Sequence, residues 1–185
     1  MELVETSLEG VVLLKPDVHG DDRGFFVEYF HSERFRNIGI DLSVAQFNHS
    51  HSRRGVLRGM HYQLQHPQAK LVQVLRGEVL DVVVDIRKGS PTFGKYAKAV
   101  LSESNRQQLF VPGGFAHGFC VLSESVDFLY LCSDIYRPDD EYGIAWDDLS
   151  LDITWPQGIE FELSSKDQNW PCLADADAIL PVFGG

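Results

Sequence analysis

The sequence predicts an all-β protein, a jelly-roll double-stranded barrel with a few short helices. Three observations predict it. Short apolar or alternating runs follow one another along the chain. Most of them are bounded by Gly, Pro, Asp, Asn or Ser, and helical periodicity is nearly absent. Many strands leave many sheet edges, and a double-sheet barrel is one way in which a chain protects those edges.

The expected strands are ten runs of six to ten residues, each containing Val, Leu, Phe or Tyr. In chain order they are 10–16, 24–30, 43–50, 55–64, 70–77, 79–86, 96–101, 107–112, 118–123 and 126–132. Gly77 between two of these runs predicts a hairpin that turns near Arg76. A short helix is expected over 31–39, with Ser32 as N-cap and Gly39 as the C′ residue. A second helical turn is expected to begin at Ser164 or Ser165.

Length and composition indicate one domain over residues 1–185. Within it we expect a jelly-roll core at about 10–150 and a C-terminal segment, 151–185, that closes the functional site. The chain has 185 residues, of which 44% are hydrophobic and 23% are charged. No apolar run approaches the roughly 20 residues of a membrane helix, and the N-terminus lacks the apolar stretch of a signal peptide. Three cysteines without metal-like spacing argue against a disulfide framework. We therefore expect a cytoplasmic protein that binds no membrane.

The net charge of −11 excludes nucleic-acid duplexes as expected partners, because they require a broad basic face. A small anionic ligand remains compatible with that charge, since a local positive site dominates at short range. The densest basic stretch is 49–61, which holds Arg53, Arg54 and Arg58 together with three histidines.

Arg58 and His61 stand three residues apart in an otherwise apolar strand. On a regular strand they face opposite sides, so either the strand bends or each side uses a polar group. A histidine beside a carboxylate is a competent general base near pH 7, and arginine offers a planar fork to a phosphate. Lys70, Tyr130, Lys166 and Asp167 each have an ordinary structural interpretation when taken singly.

A metal site is not expected. His49 and His51 share a strand face, and solvated or structural roles are the favoured interpretation for both. Residues 112–117, "PGGFAH", resemble the second half of the metal-binding cupin pattern, with His117 as ligand. The first half is missing around His61, where no H-x-H is found.

Six stretches in order resemble the dTDP-4-dehydrorhamnose 3,5-epimerase family, also called the RmlC family. They are "DDRGFFVE", "AQFNHSHSRRGVLRGMHYQ", "QAKLVQVLRGEVLDVVVDIRKGSPTFG", "LFVPGGFAHGF", "DFLYLCSDIYRPDDEYGIAWDD" and "LSSKDQNWPCL". The resemblance covers residues 4 to 172 and implies a metal-free, cofactor-free, cupin-type jelly roll that forms homodimers. It implies epimerisation at C3 and C5 of dTDP-4-dehydro-6-deoxy-D-glucose, an isomerase activity in dTDP-rhamnose biosynthesis.

The resemblance also implies roles for individual residues. His61 is the base, Asp167 orients it, Lys70 steadies the C4 oxyanion and Tyr130 returns a proton on the opposite face. Substrate contacts are implied, with Arg23 and Arg58 on the diphosphate and Phe26 and Glu28 near the nucleoside across the dimer interface. Further implied contacts are Gln46, Asn48, His117, Tyr136, Glu141 and Lys166.

Other functions remain open at this point. The same fold serves mono-epimerases and ketoisomerases of related nucleotide sugars, metal-dependent oxygenases and non-catalytic binding modules. Two departures from the family pattern bear on pocket shape: the spacing from His61 to Lys70 is one residue short, and Leu131 replaces a frequent lysine.

The expected dimer is also motivated by the apolar runs "VVLLKP" and "FFVEYF", which are candidates for pairing across subunits.

Overall fold

A computed structural model describes residues 1–184 of the chain. The thirteen strands of these residues are β1 (Glu2–Glu5), β2 (Val12–Lys15), β3 (Val18–Asp21), β4 (Gly24–Val27), β5 (Gln46–Arg53), β6 (Leu57–Gln63), β7 (Lys70–Arg76), β8 (Glu78–Asp85), β9 (Tyr96–Ser102), β10 (Gln108–Val111), β11 (Phe115–Val121), β12 (Ser125–Cys132) and β13 (Glu141–Gly143). Helix α1 is Ser32–Asn37, and two single-turn 3₁₀ helices follow at Leu173–Asp175 and Asp177–Ile179. None of the helices in this part of the chain is long and apolar enough to cross a membrane.

Two antiparallel sheets form the barrel, which confirms the all-β jelly-roll prediction. The first has the order β1-β2-β10-β7-β12-β5 and the second the order β13-β6-β11-β8-β9. Buried side chains of both sheets meet in one central cluster, in which Phe119 of β11 stacks on Phe128 of β12 with ring centroids 4.3 Å apart. The interior of the barrel therefore lies between the two sheets.

Two further apolar clusters cover the outer faces of the sheets. Phe35 of α1 packs with Leu14 and Leu71 outside the six-stranded sheet. The C-terminal segment covers the five-stranded sheet, where Leu173 and Leu180 join the buried cluster of β6 and β8. This covering holds the C-terminal chain close to β6.

The predicted hairpin near Arg76 and Gly77 is wrong. The chain does turn at Gly77, which has a φ of +83°, but β7 and β8 belong to different sheets. An ideal Cβ on Gly77 would lie 2.1 Å from the carbonyl oxygen of Ser125, so the corner has no room for a side chain. The turn thus carries the chain from one layer of the barrel to the other.

Helix α1 lies within the predicted range 31–39, but its N-cap is His31 rather than the predicted Ser32. Its end is as predicted: Gly39 has a φ of +86° and donates its N–H to the carbonyl of Arg36. Ile40 donates to Phe35, which completes a Schellman motif. The predicted second turn occupies 165–168, directly after Ser164.

The expected pairing of "VVLLKP" across subunits is also wrong. Strand β2 lies between β1 and β10 in its own sheet, so both of its edges are occupied. The run "FFVEYF" differs, because β4 pairs only with β3 in a separate two-stranded ribbon. All four residues of β3 are exposed, and the ribbon presents Phe25 and Phe26 to solvent.

Candidate active site

A cavity of about 580 Å³ opens between the two sheets. Eleven of the fourteen predicted site residues line it: Gln46, Asn48, Arg58, His61, Lys70, His117, Tyr130, Tyr136, Glu141, Lys166 and Asp167. The stacked rings of Phe119 and Phe128 also contribute to its wall. The cavity is thus apolar at one part of its wall and rich in charged and hydrogen-bonding groups elsewhere.

A β-bulge in β6 brings Arg58 and His61 to the same cavity. His61 lies opposite His117 of β11 and Arg58 lies opposite Phe119, so three steps along β6 match two steps along β11. The extra residue changes the alternation, and both side chains point inward. Gly59 makes this possible, since it has a φ of +140° and an ideal Cβ there would lie 2.7 Å from Cα of Gly118.

Asp167 reaches His61 because the C-terminal chain runs beside the start of β6. Glu162 forms a parallel bridge with Val56, and its carbonyl accepts the N–H of Leu57. The following turn is fixed by Ser164, whose hydroxyl accepts the Asp167 N–H at 3.1 Å. These contacts place the Asp167 carboxylate beside the ring of His61, which lies on β6.

The His61–Asp167 pair has the geometry of a general base and its orienting carboxylate. Nε2 of His61 lies 2.5 Å from Oδ1 of Asp167. Burial raises the pKa of Asp167, but its hydrogen bond and charge interaction with His61 and the Ser164 contact together hold that pKa below the ordinary value. Because the carboxylate is ionised and only accepts hydrogen bonds, Nε2 carries the proton and Nδ1 is the basic nitrogen.

A second carboxylate flanks the same ring. Oε1 of Glu141 lies 3.9 Å from Nδ1 of His61, beyond hydrogen-bond distance. Oε2 of Glu141 accepts the Tyr136 hydroxyl at 2.7 Å and is paired with Lys166. Burial raises the pKa of Glu141, and the bonds to Lys166 and Tyr136 outweigh burial and lower it overall. Glu141, Tyr136 and Lys166 therefore hold one another's side chains in position on this side of the cavity.

Tyr130 and Lys70 come from the opposite sheet, on β12 and β7. Within residues 1–184 neither the Tyr130 hydroxyl nor the Lys70 ammonium forms a hydrogen bond. Burial raises the pKa of Tyr130, so the phenol stays protonated at neutral pH. Burial lowers the pKa of Lys70, and the charges of Cys132, Glu141 and Asp81 oppose that shift. Both side chains are available to a ligand.

The remaining polar residues of the cavity are pre-arranged by neighbours on β5. The Arg58 guanidinium donates to Ser52 Oγ through Nε at 3.2 Å and Nη2 at 3.1 Å. Gln46 Nε2 donates to Asn48 Oδ1 at 2.8 Å, and Gln46 Oε1 accepts the Tyr136 N–H at 2.7 Å. Arg58 itself is exposed, which leaves its fork open to an anion.

Three predicted substrate residues are not brought to this cavity. Arg23 and Phe26 lie on the exposed ribbon of β3 and β4, and Glu28 follows it. Arg23 is ion-paired with Asp21 at 2.6 Å and Glu28 with Arg34 at 2.8 Å. In the protomer alone these residues form a separate surface.

Sequence reasoning missed two residues that touch the predicted machinery. Trp170 packs edge-on against His61, with ring centroids 6.1 Å apart, and occupies space left by Gly143. Asp81 pairs with His117 at 2.8 Å between Oδ1 and Nε2. Both residues lie inside stretches that carried the family resemblance, but Asp81 is embedded in the apolar run 79–86 and gave no separate signal.

Two histidines outside the cavity, His49 and His51, share one carboxylate partner. His49 Nε2 and His51 Nδ1 both contact Oδ1 of Asp127, at 2.9 and 3.0 Å, on the exposed face of β5. Across residues 1–184 no group of three or more His, Cys, Asp or Glu side chains is arranged to hold a metal ion. Metal-free catalysis remains a prediction.

Comparison with known proteins gives evidence that is independent of the geometry. The model of the dTDP-4-dehydrorhamnose 3,5-epimerase family matches residues 5–175. A Neisseria gonorrhoeae dTDP-4-dehydrorhamnose 3,5-epimerase is 50% identical over 167 residues, which are 90% of this chain and 51% of that protein. The chain therefore spans about half the length of that relative.

Two solved structures bear on the cavity. The dTDP-6-deoxy-D-glucose-3,5-epimerase RmlC from Legionella pneumophila, in complex with dTDP-4-keto-L-rhamnose, superposes with a TM-score of 0.96 at 46% identity and covers 100% of this chain and 99% of its own. ChmJ, a 3'-monoepimerase from Streptomyces bikiniensis in complex with dTDP-quinovose, has a TM-score of 0.92 at 40% identity and covers 96% of this chain and 91% of its own. On the family match and these similarities, the chain belongs to the dTDP-4-dehydrorhamnose 3,5-epimerase family.

Proposed function

We propose that this protein epimerises C3 and C5 of dTDP-4-dehydro-6-deoxy-D-glucose and so forms dTDP-4-dehydro-L-rhamnose. The observation that carries the proposal is the placement of His61 and Tyr130 on opposite sheets of one cavity. Inversion of a carbon requires a base on one face of the sugar and a proton donor on the other. Family membership supplies the substrate class.

The C4 ketone makes the reaction accessible to ordinary side chains. It acidifies the protons on C3 and C5, because loss of either proton gives an enolate. Nδ1 of His61 removes the proton, and the ionised Asp167 stabilises the imidazolium that forms. The two steps proceed one carbon at a time through the same base. Between them the His61 imidazolium releases its proton to solvent and the Tyr130 phenolate takes a proton from solvent, which restores both groups.

Lys70 stabilises the enolate oxygen. Its ammonium has no hydrogen-bond partner within residues 1–184, and the charge lies in a partly enclosed cavity in which electrostatic interactions are stronger than in water. Tyr130 then delivers a proton to the opposite face of the carbon. Its raised pKa keeps the phenol protonated until it is needed.

The nucleotide is held by the remaining polar groups. Arg58 offers two parallel donors to the diphosphate, while Gln46, Asn48, His117, Tyr136, Glu141 and Lys166 contact the rest of the ligand. Arg23, Phe26 and Glu28 serve the partner's cavity in a homodimer, because their ribbon projects exposed aromatic side chains from its own protomer. Sedimentation analysis tests the dimer, and a fully active monomer at micromolar concentration would contradict it.

The proposal extends to organisation and location. Residues 151–185 close the site of a single domain, since Lys166 and Asp167 line the cavity and Leu173 and Leu180 anchor the segment. All three cysteines are free, which supports a reducing, cytoplasmic location.

A mono-epimerase is the second candidate, and the 40% identity to ChmJ favours it over a ketoisomerase. Proton NMR of the product formed from dTDP-4-dehydro-6-deoxy-D-glucose separates the two. Inversion at both C3 and C5 supports the double epimerase, and inversion at one carbon only establishes the mono-epimerase.

A further inference from the structure

Asp81 is a fully buried carboxylate to which the proposed chemistry gives no task. It lies on β8 with no side-chain exposure, and its Oδ1 lies 2.8 Å from Nε2 of His117. Its other oxygen, Oδ2, has no hydrogen-bond partner among the residues that the structure describes. A buried carboxylate with an unpaired oxygen costs folding free energy and calls for a functional explanation.

The position of the pair supplies such an explanation. His117 lines the cavity directly opposite His61 in the register of β11 and β6, whereas Asp81 lies behind His117, away from the ligand space. The Asp81 bond uses Nε2, so Nδ1 is the nitrogen left for a ligand. A carboxylate in this position fixes the imidazole ring and stabilises its protonated form.

The oxygens of a diphosphate and of an enolate only accept hydrogen bonds. A neutral His117 with its proton on Nε2 presents a lone pair at Nδ1 and repels such oxygens, whereas an imidazolium presents an N–H. We propose that Asp81 is a positioning residue that holds His117 as an imidazolium, so that Nδ1–H donates to an anionic oxygen of the bound substrate. The proton comes from solvent when the ligand binds. This inference rests on the proposed function and gives its site a second histidine–carboxylate pair.

Other charged and titratable groups face the pair from the neighbouring elements. They are Arg58 and His61 on β6, Lys70 on β7, Tyr130 and Cys132 on β12, and Glu141 on β13. Lys166 and Asp167 reach the same cavity but are engaged with Glu141 and His61. Burial raises the pKa of Asp81, whereas the charge and hydrogen bond of His117 and the charge of Lys70 act in the opposite direction and favour the ionised carboxylate.

The test is a double-mutant cycle with Asp81→Asn, His117→Gln and the double variant, each measured from pH 6 to pH 9. Asp81→Asn keeps the size and hydrogen-bonding ability of the side chain and removes its charge. We expect kcat/KM to fall by about 10- to 100-fold at pH 8–9, the range for one charge-assisted hydrogen bond, and by much less at pH 6, where the higher proton concentration favours the imidazolium. The alkaline limb of the pH profile therefore moves to lower pH.

In the His117→Gln background the Asp81→Asn change should have no further effect, because Asp81 acts through His117. Asp85→Asn is the matched control: Asp85 is on the same strand and equally buried, but its partners are Arg87, Ser90 and Thr92 outside the cavity. The control should lower thermal stability and leave the pH profile unchanged. Multiplicative losses in the double variant, or an Asp81→Asn profile like that of the control, would overturn the proposal.

Binding of dTDP by titration calorimetry identifies the oxygen that His117 contacts. A matching loss of dTDP affinity in Asp81→Asn assigns the diphosphate, and unchanged affinity with reduced kcat assigns the enolate oxygen. Both outcomes support the role of Asp81. If the unmodified protein produces no inverted sugar at all, the proposed function fails, while the dTDP affinities still report on the His117–Asp81 pair.

Discussion

Nε2 of His61 lies 2.5 Å from Oδ1 of Asp167, although 106 positions separate the two residues in the chain. The contact fixes which ring nitrogen is basic, because an ionised carboxylate accepts only from an N–H. Asp167 of the C-terminal segment therefore determines which ring nitrogen of His61 on β6 can accept a proton.

Asp167→Asn should lower kcat strongly while the substrate still binds. The amide keeps the shape but removes the charge that stabilises the imidazolium, and it also permits the wrong tautomer. We expect a loss of about 10²–10⁴-fold in kcat with a small change in KM. Steady-state kinetics check this, with Asp127→Asn as a control, since that carboxylate binds His49 and His51 outside the cavity. A kcat within a few-fold of normal would show that His61 does not depend on Asp167.

Arg58→Ala should weaken dTDP binding. Arg58 is exposed, so its loss removes a charge-assisted interaction with the diphosphate, together with its two hydrogen bonds to the buried Ser52 hydroxyl. The expected cost is roughly 1.5–3 kcal/mol, or about 10- to 150-fold in Kd, and Arg58→Lys should recover only part of it. Titration calorimetry measures both, with Arg53→Ala as the control because Arg53 is paired with Glu162 away from the cavity. Equal affinities for the Arg58→Ala and unmodified proteins would remove Arg58 from the nucleotide site.

Exhaustive chelation should leave activity unchanged. Lys70 is available for the enolate oxygen, and the two histidines of the cavity are each engaged with a carboxylate. The assay compares epimerisation before and after dialysis against a strong chelator, together with metal analysis of the protein. A large loss that one specific metal restores would establish a metal-dependent reaction instead.

Asp85 gives a prediction for acid stability. Burial raises its pKa, but bonds from Arg87, Ser90 and Thr92 outweigh burial and lower the pKa from 3.8 to about 2. Its stabilisation is complete above pH 3.8 and is lost as the pH falls towards 2, since the depressed pKa means that the folded state binds the proton less tightly.

Asp85→Asn should therefore cost about 2 kcal/mol of unfolding free energy at pH 7. Urea unfolding at several pH values measures the difference between the two proteins, which should shrink between pH 4 and pH 2. A difference that stays constant over this interval would assign the effect of the substitution to packing instead of charge.

The sequence alone predicted the strands with strong apolar patterns but not the corners between them. Residues 70–86 look like a hairpin because a glycine separates two apolar runs, yet Gly77 carries the chain between sheets. Strands β1, β3 and β13 were missed because "ELVE", "VHGD" and "EYG" are short and polar. The local sequence pattern does not indicate which of the two sheets a strand joins.

The site was predictable where residues matched a family motif and unpredictable where the fold alone creates the contact. The shared cavity of Arg58 and His61 depends on a bulge at Gly59, which the odd spacing permitted but did not determine. Asp81 was hidden in a run of valines, and only the register of β8 against β11, which pairs Asp81 with Phe119, makes it a diagonal neighbour of His117. Arg23, Phe26 and Glu28 matched the family pattern, but the fold places them on or beside an exposed ribbon outside the cavity.

The central claim is that His61 removes the sugar protons and Tyr130 returns them from the opposite sheet. Proton NMR of the substrate in heavy water, with His61→Asn and Tyr130→Phe, tests it most directly, and His66→Asn and Tyr142→Phe serve as controls outside the cavity. The account predicts that His61→Asn abolishes both product formation and exchange, whereas Tyr130→Phe exchanges protons without inversion at one carbon or both. Inversion of both carbons at the normal rate by Tyr130→Phe, or near-normal exchange by His61→Asn, would contradict it.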